Sequence, residues 1–325
     1  MKLKMQNEDG STGAAESEFV IVTSGLTKRF GERLAVDGVD LRVPRGVVCG
    51  FVGPNGAGKT TTIRLLLGLV RPSSGTGFVL GSDLSEPGAY LDRVGALIEG
   101  PAFYPTLSGR ANLAILARLG GIPTDRIGSL LDLVGLGTRG DDLFRTYSLG
   151  MKQRLGVASA LLCDPELLVL DEPANGLDPA GIVEMRQLLR SRADEGITVF
   201  VSSHLLGEVE QICDHLVMIQ SGQLVFQGST LDLLAAQASE LLARPEQMSD
   251  LAALAELVTA TGRAARVEAD TVHVVAGAGW AGDLNRLANG AGITLVHLSE
   301  QRASLETAFF ALTGFETGDV DGDRR

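Results

Sequence analysis

Apolar residues are distributed along the chain in two textures. Up to about residue 228 they gather in short unbroken runs; beyond it they recur at helical spacing or alternate. The first run, Phe19-Val-Ile-Val, reads as a strand. The second, Val47-Val48-Cys49-Gly50-Phe51-Val52, is the kind found in strands covered on both faces. A glycine-rich turn follows it, and then residues 60–69, whose apolar spacing and Arg64 suit a helix, so strand, turn and helix open an α/β unit. A mostly helical middle is predicted over about 90–163. Two more buried-strand runs come next, Leu167-Leu168-Val169-Leu170 and Ile197-Thr198-Val199-Phe200-Val201. Ser221 and Gly222, between Val217-Met218-Ile219 and Leu224-Val225-Phe226, predict a two-residue hairpin turn.

After about Gly228 the pattern becomes an Ala/Leu/Glu helix running through Leu257. A Val-rich strand pair over 266–275, a short helix near Leu284, a strand over 293–298 and a helix over 304–313 complete a small α+β domain. The predicted organisation is a disordered tail over 1–18, an α/β domain over 19–230, an accessory domain over 231–315 and an acidic, glycine-rich disordered tail over 316–325. There is no internal repeat.

A length of 325 residues suits about two domains, and 45% apolar with 21% charged residues describes a globular chain rather than a disordered or fibrous one. The net charge of −12 disfavours nucleic-acid and anionic-lipid binding, which need a basic face. A mean hydropathy of +0.18 raises the question of membrane spans, but the longest stretch free of Asp, Glu, Lys and Arg, from His215 to Leu231, is interrupted by Gln220, Ser221, Gly222, Gln223 and Gln227. No span is predicted. The first 18 residues lack the apolar core of a signal peptide, so a cytosolic chain is expected. Cys49, Cys163 and Cys213 each lie in apolar surroundings without close Cys or His spacing, which predicts buried thiols rather than disulfides or zinc.

The candidate chemistry begins at Gly53-Pro54-Asn55-Gly56-Ala57-Gly58-Lys59-Thr60, a match to G-x-x-x-x-G-K-[ST] placed between a strand and a helix, as that phosphate-binding loop requires, with Thr61 adjoining it. Glycines let the backbone curl so that successive N–H groups face phosphate oxygens, and the helix N-terminus adds its positive end. Lys59 can reach the β- and γ-phosphates, and the Thr60 hydroxyl can ligate Mg²⁺. Only five lysines occur in the chain, so one falling at this position by accident is improbable. A bound nucleoside triphosphate is expected.

Leu167 to Leu170 run directly into Asp171-Glu172-Pro173. A buried strand thereby delivers two carboxylates to the C-terminal edge of a sheet, where open α/β sheets bind ligands. Asp171 can serve the Mg²⁺ shell while Glu172 activates water. His204 ends a third such strand in Val199-Phe-Val-Ser-Ser-His204, the same edge. Tyr147-Ser148-Leu149-Gly150-Met151-Lys152-Gln153-Arg154 opens a helix with Ser148 as a natural N-cap, a second helix N-terminus suited to phosphate.

In this order the motifs resemble an ATP-binding cassette ATPase, the nucleotide-binding subunit of an ABC transporter, over about residues 19–228. The resemblance implies a P-loop NTPase fold: a RecA-like α/β core with an antiparallel β part and a helical signature subdomain, here about 90–163, plus the small C-terminal α+β domain. Gly53 to Thr60 match Walker A, Leu167 to Glu172 Walker B with its catalytic glutamate, Asn175-Gly-Leu-Asp178-Pro the D-loop and His204 the switch histidine. Ser148 and Gly150 match the Leu-Ser-Gly-Gly-Gln signature, while Tyr147, Leu149 and Met151 depart from it. Phe30 matches the aromatic that stacks on adenine, usually Tyr. Glu99, in Val94-Gly-Ala-Leu-Ile-Glu99, stands where the family generally has Gln, a contact of Mg²⁺ or its water.

Leu97 to Pro105, Ser148 to Arg154 and Ser304 to Gly314 look like the branch serving bacitracin-resistance, lantibiotic-immunity and similar ABC-2-type exporters. The resemblance implies ATP and Mg²⁺ as ligands and a head-to-tail dimer, of identical or different cassettes. Each ATP would lie between one chain's phosphate loop and the other's Ser148, Gly150 and Met151, with Asp178 at the interface. It further implies a separate membrane permease, docked at a groove flanked by Glu99, Phe103 and Tyr104, and peripheral attachment to the inner face of the cell membrane. A soluble cassette ATPase acting on ribosomes or DNA is the alternative. A small-molecule P-loop kinase is disfavoured by the signature-like stretch and His204.

The charge fits this reading. Residues 19–230 carry 19 basic and 22 acidic side chains, a net of −3, whereas residues 231–315 carry 5 and 10, so most of the net charge of −12 lies outside the cassette.

Overall fold

A computed structural model describes residues 18–100, 102–235, 240–276, 279–301 and 304–313. Apart from Glu18, the predicted N-terminal tail lies outside the described residues, as does the predicted C-terminal tail. Two compact units divide the chain, Met1–Thr230 and Leu231–Arg325.

In the first unit, six strands form a sheet in the order Gln223–Ser229, His215–Gln220, Val48–Val52, Thr198–Ser203, Leu167–Asp171, Val94–Leu97. The last five run parallel and the first is antiparallel to its neighbour. Every residue of the three central strands is buried, which is why they carry the apolar runs at 48–52, 167–170 and 199–201 rather than alternations. Phe51 and Phe200, on adjacent strands, meet with ring centroids 5.1 Å apart. A second, antiparallel sheet joins Phe19–Phe30 to Arg33–Val39, Arg42–Pro44 and Ser74–Val79, with Ser82–Asp83 beyond. At the predicted hairpin, Ser221 (φ 50°) and Gly222 (φ 82°) are both left-handed, the pattern of a type I′ turn.

The helical middle differs from its predicted extent. Helices Gly109–Leu119, Ile127–Leu133 and Leu149–Ala160 form it, but Val94–Leu97, inside the 90–163 range, is an edge strand of the parallel sheet. Four residues are too few to show a period, so the strand is invisible until its partner is placed. Gly95 there is a packing requirement: a Cβ would lie 2.0 Å from the Ala160 carbonyl oxygen. The first helix after the Val48–Val52 strand is Lys59–Leu66, three residues shorter at its C-terminus than predicted. Cys49 and Cys213 are buried as expected, whereas Cys163 is only half-buried.

The second unit is a four-stranded antiparallel sheet in the order Ala265–Glu268, Thr271–Val275, Glu240–Pro245, Leu295–Gln301, accompanied by helices Leu251–Ala260 and Ala281–Gly290. Leu241, Ala243, Val272 and Val274 pack with Leu254, Val258 and Leu284 to form its core. Here the sequence pattern misleads: the helix expected to run unbroken to Leu257 is interrupted by Glu240–Pro245. Leu241 and Ala243 point inward while Glu240, Leu242 and Arg244 do not, a period of two that a Leu/Ala/Glu-rich composition disguises. Among the described residues no helix is long and apolar enough to cross a membrane.

Candidate active site

Strand register brings the candidate residues together. Val52 pairs with Ser203 and Asp171 with Ser202, so the C-terminal ends of three adjacent parallel strands meet at one edge. From that edge the strand Val48–Val52 leads into the phosphate-binding loop, Leu167–Asp171 into Glu172, and Thr198–Ser203 into His204. Gly58 caps the helix Lys59–Leu66 with φ 107°, and a Cβ on it would stand 2.4 Å from the Ala35 carbonyl oxygen, so only glycine fits this close approach.

Lys59 is almost fully buried. Its Nζ donates to the carbonyl oxygens of Gly53 (2.7 Å) and Pro54 (3.4 Å) and lies 3.4 Å from Glu172 Oε1. Three fixed acceptors hold the ammonium over the loop. Thr60 Oγ1 donates to Asp171 Oδ2 at 2.8 Å, which joins the two elements expected to serve a cation. Glu172 is in the left-handed region (φ 51°), uncommon for a side chain with a Cβ; its backbone N–H donates to Ser202 Oγ at 2.9 Å and its Oε2 lies 2.8 Å from His204 Nδ1. The carboxylate is thus held from both sides, by an ammonium and an imidazole.

A cavity of about 630 Å³ opens above these groups, lined by Phe30, Arg33, Ala35, Asn175, Glu172, His204 and the loop residues Pro54 to Thr61. Gly53 contributes through its carbonyl, and Asp171 lies beneath through Thr60. Phe30 is half exposed, with Lys28 Nζ 4.9 Å from its ring centroid, so one aromatic surface is available to a flat ligand. Behind the catalytic edge, Glu172, His204, Arg186 and Glu208 border a smaller hollow. Burial raises the Glu208 carboxyl above its ordinary range, against the lowering effect of Arg186 and His204.

Other predicted residues lie elsewhere. Ser148 accepts the Met151 N–H at 3.3 Å and caps Leu149–Ala160; Asp178 accepts the Gly181 N–H at 3.0 Å and caps Pro179–Asp194. Ser148, Gly150 and Asp178 line a separate hollow of about 350 Å³ that shares no residue with the phosphate-loop cavity. Met151 is not among its lining residues. Glu99 is exposed, has φ 59°, and pairs with Arg64 rather than lining either space. Sequence reasoning missed Arg33, Ala35, Asn175 and Ser202 as site residues. Asn175 lies in a motif already singled out and Ser202 in the stretch ending at His204, whereas Arg33 and Ala35 carry no local signal and are placed by the hairpin after Phe30.

The model of the ABC transporter family matches residues 36–175. The bacitracin transport ATP-binding protein BcrA of Bacillus licheniformis is 49% identical over 209 residues, covering 63% of this chain and 68% of that protein. The chain belongs to the ABC transporter ATP-binding family. A further member, the daunorubicin/doxorubicin resistance ATP-binding protein DrrA of Streptomyces peucetius, is 35% identical over 309 residues and 92% of this chain, a span that takes in the second unit. Among solved structures, cbiO1 of Clostridium perfringens, described as part of the ABC transporter complex cbiONQ, superposes with a TM-score of 0.62 at 26% identity over 67% of this chain and 92% of its own. Hydrolysis of ATP is the reaction of this ABC ATPase.

Proposed function

We propose that the chain is the ATP-hydrolysing subunit of an exporter, working as a head-to-tail dimer beneath a separate membrane permease. The observation that carries the dimer is the separation of the two hollows: Ser148 and Gly150 share no cavity with Lys59 of the same chain, and a second cassette placed head-to-tail would bring such a pair together around one ATP. Export as the direction rests on kinship with the bacitracin transport and daunorubicin/doxorubicin resistance proteins. In this reading residues 19–230 are the ATP-binding domain and 231–315 an accessory domain.

The adenine stacks on Phe30 and the polyphosphate follows the loop N–H groups to Lys59. Glu172 takes a proton from the attacking water as its oxygen bonds to the γ-phosphorus and the bond to the β-phosphate oxygen breaks, leaving ADP and phosphate. His204 orients the Glu172 carboxylate through the 2.8 Å contact. The residues present also fit Mg²⁺: a hydroxyl and a carboxylate oxygen, Thr60 Oγ1 and Asp171 Oδ2, stand side by side, the sparse protein donor set that this hard cation takes when phosphate and water complete its shell. When bound, Mg²⁺ supplies charge neutralisation on the β- and γ-oxygens. Of the two aromatics expected to flank the permease surface, one is free of ring contacts among the described residues and the other is not. Tyr104 is exposed, but Phe103 packs edge-on against Phe144, with centroids 5.1 Å apart.

Glu172→Gln tests the reading. With ATP and Mg²⁺ the variant should elute as a stable dimer holding nucleotide, with turnover reduced about 100-fold or more. Turnover at the unmodified rate, or a variant that stays monomeric while holding ATP, would overturn the base assignment or the dimer respectively.

A further inference from the structure

We propose that Arg33 is a second phosphate ligand of the ATP site, gripping the phosphate nearest the ribose; the proposal rests on the ATP-site reading above. The hairpin that presents Phe30 turns in two residues, and Phe30 pairs directly with Arg33 across it. The two side chains therefore enter the cavity from one short, stiff support.

Arg33 Nη2 reaches to 3.9 Å from where a Cβ on Gly56 would stand, so the guanidinium hangs over the middle of the phosphate-binding loop, between the aromatic ring at one end and Lys59 at the other. Lys59 is committed to Gly53, Pro54 and Glu172. Among the described residues, the Arg33 side chain makes no hydrogen bond or ion pair. An unpaired cation at a cavity mouth needs no protein bond broken before it meets an anion, and its planar fork matches two phosphate oxygens at once. Its support decides which phosphate: Arg33 is paired with Phe30, the ring that takes the base, whereas the Lys59 ammonium lies back against Gly53, Pro54 and Glu172, so Arg33 meets the phosphate on the base side of Lys59. The phosphate there is common to ATP and ADP.

The test compares wild type with Arg33→Met and Arg33→Lys in the full-length chain, measuring Kd for ATP and ADP and steady-state ATPase kinetics in Mg²⁺. Arg33→Met should weaken ATP and ADP alike, about tenfold, and raise KM by a similar factor, while kcat at saturation falls by less than about twofold. Arg33→Lys should recover part of the loss, because the charge remains and the fork does not. Unchanged affinities in Arg33→Met, or a loss confined to ATP, would overturn the assignment. A wild-type chain that binds neither nucleotide would overturn the ATP-site reading itself, a result distinguishable from the failure of Arg33 alone.

Discussion

The Ser202 hydroxyl donates to Asp171 Oδ1 at 2.5 Å while accepting the Glu172 N–H at 2.9 Å, so one buried side chain from the neighbouring strand fixes both carboxylate-bearing residues. Asp171 is 8% exposed and Ser202 fully buried, so water does not replace the lost partner when that hydroxyl is removed. Ser202→Ala should lower stability by about 2 to 6 kcal/mol, roughly 1 to 3 for each of the two groups stranded. It should also reduce ATPase turnover by loosening Glu172. Denaturant midpoints and ATPase rates check this; a variant as stable and as active as wild type would show that the strand register alone holds the site.

Lys59→Ala removes an ammonium whose acceptors are two backbone carbonyls and Glu172. Nucleotide affinity should fall about 10- to 100-fold with the fold retained, since the lost bonds belong to a charged donor. Titration calorimetry alongside circular dichroism separates binding from folding, and retained tight binding would count against the loop as the phosphate site.

Gly95→Ala should destabilise the first unit by at least about 2 kcal/mol, because the new methyl meets the Ala160 backbone oxygen rather than a flexible side chain. A thermal melt is sufficient. No change in the melting temperature would mean that the edge strand Val94–Leu97 shifts at little cost.

His215 gives a pH dependence with a definite sign. Burial lowers its pKa below the ordinary 6.5, partly opposed by a hydrogen bond to the Arg42 backbone, and its Nε2 is buried without a partner among the described residues. The unfolded chain therefore binds a proton there more readily than the folded one. This contribution to stability is fully present above about pH 6.5 and is lost as pH falls through that value towards the folded pKa, with a slope of up to about 1.4 kcal/mol per pH unit. His215→Gln should flatten that part of the profile between pH 7 and 5 in urea unfolding. An unchanged slope would assign the acid sensitivity to other groups.

Much of the candidate ATP site was legible in the chain because its chemistry is local. A phosphate loop is eight consecutive residues, and Asp171-Glu172 and His204 lie close behind the apolar runs at 167–170 and 199–201, which are buried throughout. What stayed hidden was short or distant. Val94–Leu97 has no period of its own, Glu240–Pro245 shares its composition with the helices around it, and Ser202 acquires its role from a strand 31 residues away in sequence.

The sequence by itself determined the family and its reaction and singled out the candidate residues, since loop, carboxylate pair and histidine are each contiguous signals. Only the tertiary structure decided which of them share a space. Parallel register sets Lys59, Glu172 and His204 at one sheet edge, helix capping sends Ser148 and Asp178 to another hollow, and a two-residue turn swings Arg33 over Gly56. Such placements depend on pairings between segments remote along the chain, and no window of neighbouring residues contains them.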